Sequence, residues 1–212
     1  MTRIVAGTVG GRTLHVPATG TRPTSDRVRE ALFSRLEHLR VVDGARVLDL
    51  FAGSGALGIE AASRGAAEVT LVDSARAAVE VCRANVATLG LTGVIAVVDR
   101  AERFVRRPVR LPWSLVFLDP PYELAEDDLA DVLAALVAGP RAARPGPAAA
   151  CALAARAVVV VERSTRSPEP RWPVGLERAE RRAYGDTVVW FAAAVDGANR
   201  THGSAAPEPA AS

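Results

Sequence analysis

Two short stretches carry the residue types that could do chemistry: Asp49-Leu50-Phe51-Ala52-Gly53-Ser54-Gly55-Ala56-Leu57-Gly58, and Asp119-Pro120-Pro121-Tyr122 some seventy residues later. In the first, glycines at 53, 55 and 58 let the chain turn sharply and bring backbone close to a ligand where a Cβ would intrude. The spacing G-x-G-x-x-G suits a nucleotide-like cofactor, a nicotinamide or flavin dinucleotide as well as S-adenosylmethionine. Asp49 ends the strand just ahead of the glycines, where a carboxylate can meet an ammonium group such as the one on the methionine end of S-adenosylmethionine. Asp73, about twenty residues past the loop, can take both ribose hydroxyls, which are common to all these cofactors.

The second stretch discriminates. It follows the apolar run Leu115-Val116-Phe117-Leu118, at the carboxyl end of a strand, where ligands bind in open α/β sheets. Two consecutive prolines fix φ and remove two backbone donors, leaving rigidly aimed carbonyl acceptors. Asp119 adds a side-chain acceptor and Tyr122 a flat face. An exocyclic amine gripped by such acceptors turns its lone pair toward an incoming methyl group, and a base stacked on Tyr122 is held for attack. Asp119, Pro120, Pro121 and Tyr122 are therefore the candidate catalytic residues.

The elements that must position them read as alternating strands and helices. Ala45 to Phe51 is a mostly apolar run without strict alternation, as expected of a strand buried on both faces of a parallel sheet. A helix follows from about Leu57 to Ser63, then a strand ending at Asp73, a helix from about Ala75 to Leu89, and a third strand from Val94 to Val98. The strand before Asp119 comes fourth, then a helix from about Glu126 to Val137 and a fifth strand over Ala157 to Val161. Glu177 to Ala183 and Thr187 to Ala192 form a closing antiparallel hairpin. This alternation predicts an α/β fold, Rossmann-like, with a mainly parallel sheet and right-handed crossovers.

Ahead of this core, Arg3 to Val9 and Arg12 to Pro17 read as two β runs around a Gly10-Gly11 turn. A helix capped by Thr24, Ser25 or Asp26 follows, with an apolar stripe at Val28, Leu32, Leu36 and Leu39. The expected organisation is an N-terminal extension over 1–40, a catalytic domain over 41–195 and a disordered tail over 196–212, the tail being rich in Ala, Gly, Pro and Ser. Gly139 to Ala149, rich in Pro, Ala and Arg, reads as a loop or a lengthened helix end.

Net charge is only +2 across 212 residues, and every basic side chain apart from three histidines is arginine, with no lysine. That total does not prove nucleic-acid binding, but the distribution points to an arm: Arg3, Arg12, Arg22, Arg27 and Arg29, with Thr24, could meet phosphates. Cys82 and Cys151 are too far apart in sequence for a disulfide framework or zinc site, and the histidines lack metal-ligand spacing. No metal is expected. No apolar run reaches the length needed to span a bilayer, and a cytoplasmic monomer is the default.

The chain resembles the class I S-adenosylmethionine-dependent methyltransferases of the amino-methylating kind, and specifically the bacterial 16S rRNA guanine-N2 methyltransferases of the RsmD type. The resemblance covers residues 3 to 193 and rests on the glycine loop, on Asp119 to Tyr122, and on Arg22-Pro23-Thr24 followed by Asp26-Arg27-Val28-Arg29-Glu30. It implies a seven-stranded sheet and S-adenosyl-L-methionine as cofactor, with S-adenosyl-L-homocysteine as product. Cofactor contacts are implied at Asp49, Phe51, Ala52, Gly53, Ser54, Gly55, Asp73, Ser74 and Asp119. The implied partner is 16S rRNA, within the small ribosomal subunit or an assembly intermediate. In the family an acidic or amide side chain one residue before an alanine meets the adenine edge. Here that place holds Arg100, before Ala101, with Asp99 one position early, so either Asp99 or backbone at Arg100 and Ala101 takes the role. Methylation of another amine, such as adenine N6, remains an alternative, as do a nicotinamide-dependent oxidoreductase and a non-catalytic assembly factor.

Overall fold

The computed structural model describes residues 2–16, 25–139 and 152–195. Arg22, Thr24, Cys151, the stretch from 140 to 149 and the tail from 196 to 212 lie outside the described residues.

Seven strands form the central sheet: β3 (Arg46–Leu50), β4 (Glu68–Asp73), β5 (Val94–Val98), β6 (Trp113–Leu118), β7 (Leu153–Ser164), β8 (Leu176–Tyr184) and β9 (Thr187–Ala194). Their spatial order is β5-β4-β3-β6-β7-β9-β8. The first five run parallel, β9 pairs antiparallel with β7, and β8 with β9. This is the Rossmann-like sheet with a reversed C-terminal hairpin that the sequence predicted. β3 lies between β4 and β6, so successive connections leave it in opposite directions. Leu50 and Leu118 are register partners at the carboxyl ends of β3 and β6. The glycine loop and the Asp-Pro-Pro-Tyr stretch, remote in sequence, therefore start side by side at the topological switch point, where α/β folds bind ligands.

Helices α2 (Ala56–Ser63), α3 (Arg76–Leu89), α4 (Ala101–Phe104) and α5 (Glu126–Ala138) supply the crossovers. Both faces of the sheet are covered, and alternate residues of each central strand enter different cores. Val47, Leu115 and Phe117 join one apolar cluster, Leu48, Val116 and Leu118 the other. This explains the unbroken apolar runs.

The N-terminal extension forms the expected hairpin, with shorter strands. Thr2–Arg3 (β1) and Thr13–Leu14 (β2) pair antiparallel, Ile4 exchanges backbone bonds with Arg12 and Gly11 at 2.9 and 2.8 Å, and the backbone beyond it turns to α2. Val5 and Ala6 donate their N–H groups to the buried Glu60 carboxylate at 2.7 and 3.0 Å, and Thr8 and Val9 donate to the Ser63 carbonyl and hydroxyl at 2.7 and 3.1 Å. Gly7 sits at φ +88°, where a Cβ would lie 2.0 Å from the Ser63 carbonyl oxygen. Ile4 and Leu14 share the apolar cluster of the sheet, so the extension packs as part of the same core.

Helix α1 (Asp26–His38) is capped by Ser25, whose hydroxyl accepts from Val28 N–H at 3.3 Å. Its buried face is Arg29, Leu32, Phe33 and Leu36, with Phe33 packed against Phe117 at 5.7 Å between centroids. Leu39, expected on that stripe, is the C-cap and is exposed. β7 is longer than expected: Glu162, Arg163 and Ser164 continue the pairing with β9. Tyr184 pairs with Thr187, leaving Gly185-Asp186 as a two-residue turn.

Candidate active site

The loop after β3 begins with strain. Phe51 holds φ 65°, a left-handed conformation uncommon outside glycine. Gly55 follows at φ +81° as the N-cap of α2. At Gly58 an added Cβ would lie 2.3 Å from Leu71 Cδ2, so this glycine lets α2 lie directly on β4. All three backbone donors at the loop glycines are committed internally: Gly53 N–H to the Asp73 carboxylate at 2.9 Å, Gly55 N–H to the Ala52 carbonyl at 2.7 Å, and Gly58 N–H to the Asp49 carboxylate at 2.9 Å.

Beside the loop opens a cavity of about 780 Å³ whose lining includes Phe51, Gly53, Asp73, Ser74, Asp99, Arg100, Ala101, Asp119 and Pro121. The structure thus brings together residues expected from four different β-to-α connections. Ala52, Ser54 and Gly55 lie behind this lining, Ala52 and Ser54 both buried. Asp73 accepts from Gly53 N–H and, through its other oxygen, from Ala75 N–H at 2.8 Å.

Asp49 corrects the sequence reading. It was expected to meet an ammonium group directly, but it shares the β3 face of Val47, toward α2, so its carboxylate sits beneath the loop and does not line the cavity. It is 1% exposed. Burial pushes its carboxyl up to about 8; the Gly58 hydrogen bond pulls it down, and the neighbouring Asp119 and Asp73 charges push it further up. Three carboxylates therefore converge on this corner. Cys82 of α3 lies under it as well, its thiol donating to the Gly53 carbonyl at 3.2 Å and pushed up to about 12, chiefly by burial.

Asp99 is buried and ion-paired with Arg103 and Arg107, and it accepts from Arg100 N–H at 2.9 Å. Its Oδ1 is hydrogen-bonded by Arg103 and by Arg100 N–H, while Oδ2 lies beside the Arg107 guanidinium without a hydrogen bond among the described residues. Ala101 opens α4 at the cavity wall.

On the other side of the switch point, Asp119 faces the cavity, Pro120 is buried, and Pro121 and Tyr122 are exposed, Tyr122 at 54%. The segment behind them is held by a residue the sequence reading did not single out. Arg163, at the carboxyl end of β7, donates to the carbonyls of Pro121 at 3.3 Å and Leu124 at 3.1 Å, and pairs with Glu126 at 2.5 Å. The only sequence signal was a charged pair, Glu162-Arg163, ending a run of valines.

Of the arm, Arg29 was expected to meet phosphate but is wholly buried; it is bonded to Asp26 at 2.8 Å and to the Arg3 carbonyl. The helix turns it inward onto the core, so it braces the arm. Arg12 reaches the Thr88 carbonyl in the last turn of α3 and does not line the cavity. Arg3 is exposed beside Asp26. Arg27 is exposed and lines a second cavity of about 560 Å³ with Val28, Tyr184 and Gly185. The β8–β9 turn there lies at the carboxyl edge, since Thr187 pairs with Ser164 at the end of β7.

A family described as Conserved hypothetical protein 95 matches residues 2–193. The chain belongs to this family, the RsmD family. It is similar to Ribosomal RNA small subunit methyltransferase D of Escherichia coli (strain K12), 46% identical over 121 residues, or 57% of this chain and 60% of that protein. The protein of the same description from Haemophilus influenzae is 40% identical over 124 residues, covering 57% and 63% of the two chains. The matches thus span about three fifths of these relatives. Solved structures cover more. The yhhF protein of Escherichia coli, described as a candidate methyltransferase, has a TM-score of 0.75 and 34% identity over 91% of this chain and 97% of its own. A Thermus thermophilus protein, TTHA0928, has a TM-score of 0.71 and 32% identity over 90% and 98%. Among the described residues, no helix is long and apolar enough to cross a membrane.

Proposed function

We propose that the protein transfers the methyl group of S-adenosylmethionine to the exocyclic N2 amine of a guanine in 16S rRNA, held on the platform from Asp119 to Tyr122. The observation that carries this reading is the carboxylate corner at the glycine loop. A dinucleotide needs free loop N–H groups for its pyrophosphate, but the Gly53, Gly55 and Gly58 donors are already spent, Asp73 and Asp119 line the cavity, and Asp49 lies beneath the loop, so the corner disfavours an anion. The same corner suits a cationic ligand carrying a sulfonium and an ammonium. When bound, S-adenosylmethionine supplies a methyl group already activated by the sulfonium charge.

The chain's own residues then have mainly to position. Asp73 has lone pairs left for ribose hydroxyls. With Asp99 ion-paired to Arg103 and Arg107, the adenine edge falls to backbone at Ala101. Asp119 and the Pro120 carbonyl accept the amine hydrogens, and Tyr122, exposed and flat, stacks the base. Extrusion of a base costs a few kcal/mol, stacking on an aromatic returns on the order of 1–3, and phosphate contacts from Arg3 and Arg27 supply the remainder. Asp119 need not be a strong base, since the proton can leave after transfer.

The names of the relatives, small-subunit rRNA methyltransferases, agree with this substrate class. The test is methyl transfer from labelled S-adenosylmethionine to small-subunit RNA or particles lacking the modification, with the nucleoside identified by mass. N2-methylguanosine that disappears with Asp119→Ala supports the reading. Label on adenine moves the target, and no transfer to any nucleic acid refutes it.

A further inference from the structure

We propose that Arg163 is a positioning residue for methyl transfer: its buried guanidinium locks the segment from Pro121 to Glu126 and so fixes the surface that Asp119, the Pro120 carbonyl and Tyr122 present to the target amine. The proposal rests on the reading of Asp119 to Tyr122 as the amine-holding platform.

Pro120 and Pro121 have no N–H, so this stretch cannot be anchored through its own donors. Within the segment Leu124 N–H closes a turn onto the Pro121 carbonyl at 3.0 Å, and tying that turn to the sheet falls to a donor from elsewhere. Arg163 is that donor, its side chain 2% exposed. One Nη bonds the Pro121 carbonyl, and the other bonds the Leu124 carbonyl and the Glu126 carboxylate. Its partners are 37 to 42 residues away in sequence, so one side chain ties β7 to the loop carrying Tyr122 and to the first turn of α5. A guanidinium offers several donors in a rigid planar fork; a lysine ammonium is a single point on a flexible stem and cannot span the same three acceptors. Arg163 does not itself line the cofactor cavity, although Pro121 and Leu124, whose carbonyls it holds, do, so kcat and cofactor-analogue affinity have to be read separately.

The test uses the full chain with Arg163→Met, Arg163→Lys and Arg163→Ala, measuring kcat and KM on small-subunit RNA or particles, S-adenosylhomocysteine affinity by calorimetry, and the thermal midpoint. Displacing reacting groups by about an ångström costs on the order of 10²-fold in rate. A loss of that order in kcat is expected for Met, a smaller one for Lys, with product-analogue affinity within about twofold of wild type. Millimolar guanidinium ion should restore part of the kcat of Arg163→Ala and none of that of Tyr122→Ala. Unchanged kcat in Arg163→Met, a kcat loss matched by loss of analogue binding, or no rescue by guanidinium overturns the proposal. If Met and Ala fail to fold, wild-type kcat in Arg163→Lys overturns it. Asp119→Ala separates the two readings: if it too keeps full kcat, the platform assignment has failed, whereas an inactive Asp119→Ala beside an active Arg163→Met removes only the positioning role.

Discussion

Asp49→Asn isolates the electrostatics of the carboxylate corner. In the ligand-free protein the Asp49 carboxyl is pushed up to about 8, first by burial and then by Asp119 at the end of β6 and Asp73 at the end of β4, with Cys82 of α3 neutral nearby and Gly58 N–H opposing. At pH 7 it is roughly nine-tenths protonated. A ligand carrying positive charge favours the ionised form, so binding at pH 7 should release up to about one proton from this group, and affinity should rise by up to about tenfold per pH unit between 6 and 8. The ligand's own α-amino group titrates near this range, so the ratio of wild-type to Asp49→Asn affinity is the quantity to follow. The amide can still accept from Gly58 N–H. Calorimetry in two buffers of different ionisation enthalpy reads the proton count directly. The sign for stability is the reverse of an ordinary carboxylate. Its folded value lies above its unfolded 3.8, so the contribution is lost as pH rises through that window, by up to about 5 kcal/mol as an upper bound. The ligand-free wild type should unfold more easily at pH 8 than at pH 5, and Asp49→Asn should flatten that difference. A wild-type to variant affinity ratio that stays constant from pH 6 to 8, with equal proton release, would refute the reasoning.

Three further outcomes follow from the geometry. Gly58→Ala drives a methyl group into Leu71 and Val69; it should cost about 1–3 kcal/mol by urea unfolding and weaken binding of S-adenosylhomocysteine. Asn85, 1% exposed, accepts from His15 N–H at 2.9 Å and donates to the His15 carbonyl at 2.9 Å and the Ser54 carbonyl at 3.0 Å. Asn85→Leu strands all three backbone groups and should lower stability by on the order of 3 kcal/mol, with loosening of the arm visible as faster amide exchange at residues 2–16. Tyr122→Ala should weaken RNA binding by roughly 5- to 150-fold, the equivalent of about 1–3 kcal/mol of stacking, while Tyr122→Phe retains most of it; equal losses in both would point to the hydroxyl instead.

The sheet was legible because its inner strands, buried on both faces, leave continuous apolar runs: β3, β4 and β6 appear near Ala45 to Phe51, Glu68 to Asp73 and Leu115 to Leu118, and the edge strand β5, only partly buried, from its β-branched run Val94 to Val98. The cofactor side was legible because a glycine loop and an acid at a strand end are local patterns. What failed was everything decided by tertiary partners. The hairpin of the extension is there but cut short, because Glu60 and Ser63 claim the donors from Val5 to Val9. Arg29 looks like a phosphate ligand until the phase of α1 turns it onto the core. Asp49 looks available until strand alternation places it under the loop. Arg163 has no local signature, since its partners are carbonyls that every residue possesses.

The clamp from β7 also bears on the order in which the site is assembled during synthesis. The cavity walls come from residues 51 to 124, while the guanidinium that steadies the platform comes from residue 163, and β7 gains its second neighbour only when β9 has emerged. A nascent chain can thus assemble most of the cavity walls before the segment from Pro121 to Glu126 is steadied, and under the proposed function methyl transfer would be the last property to mature.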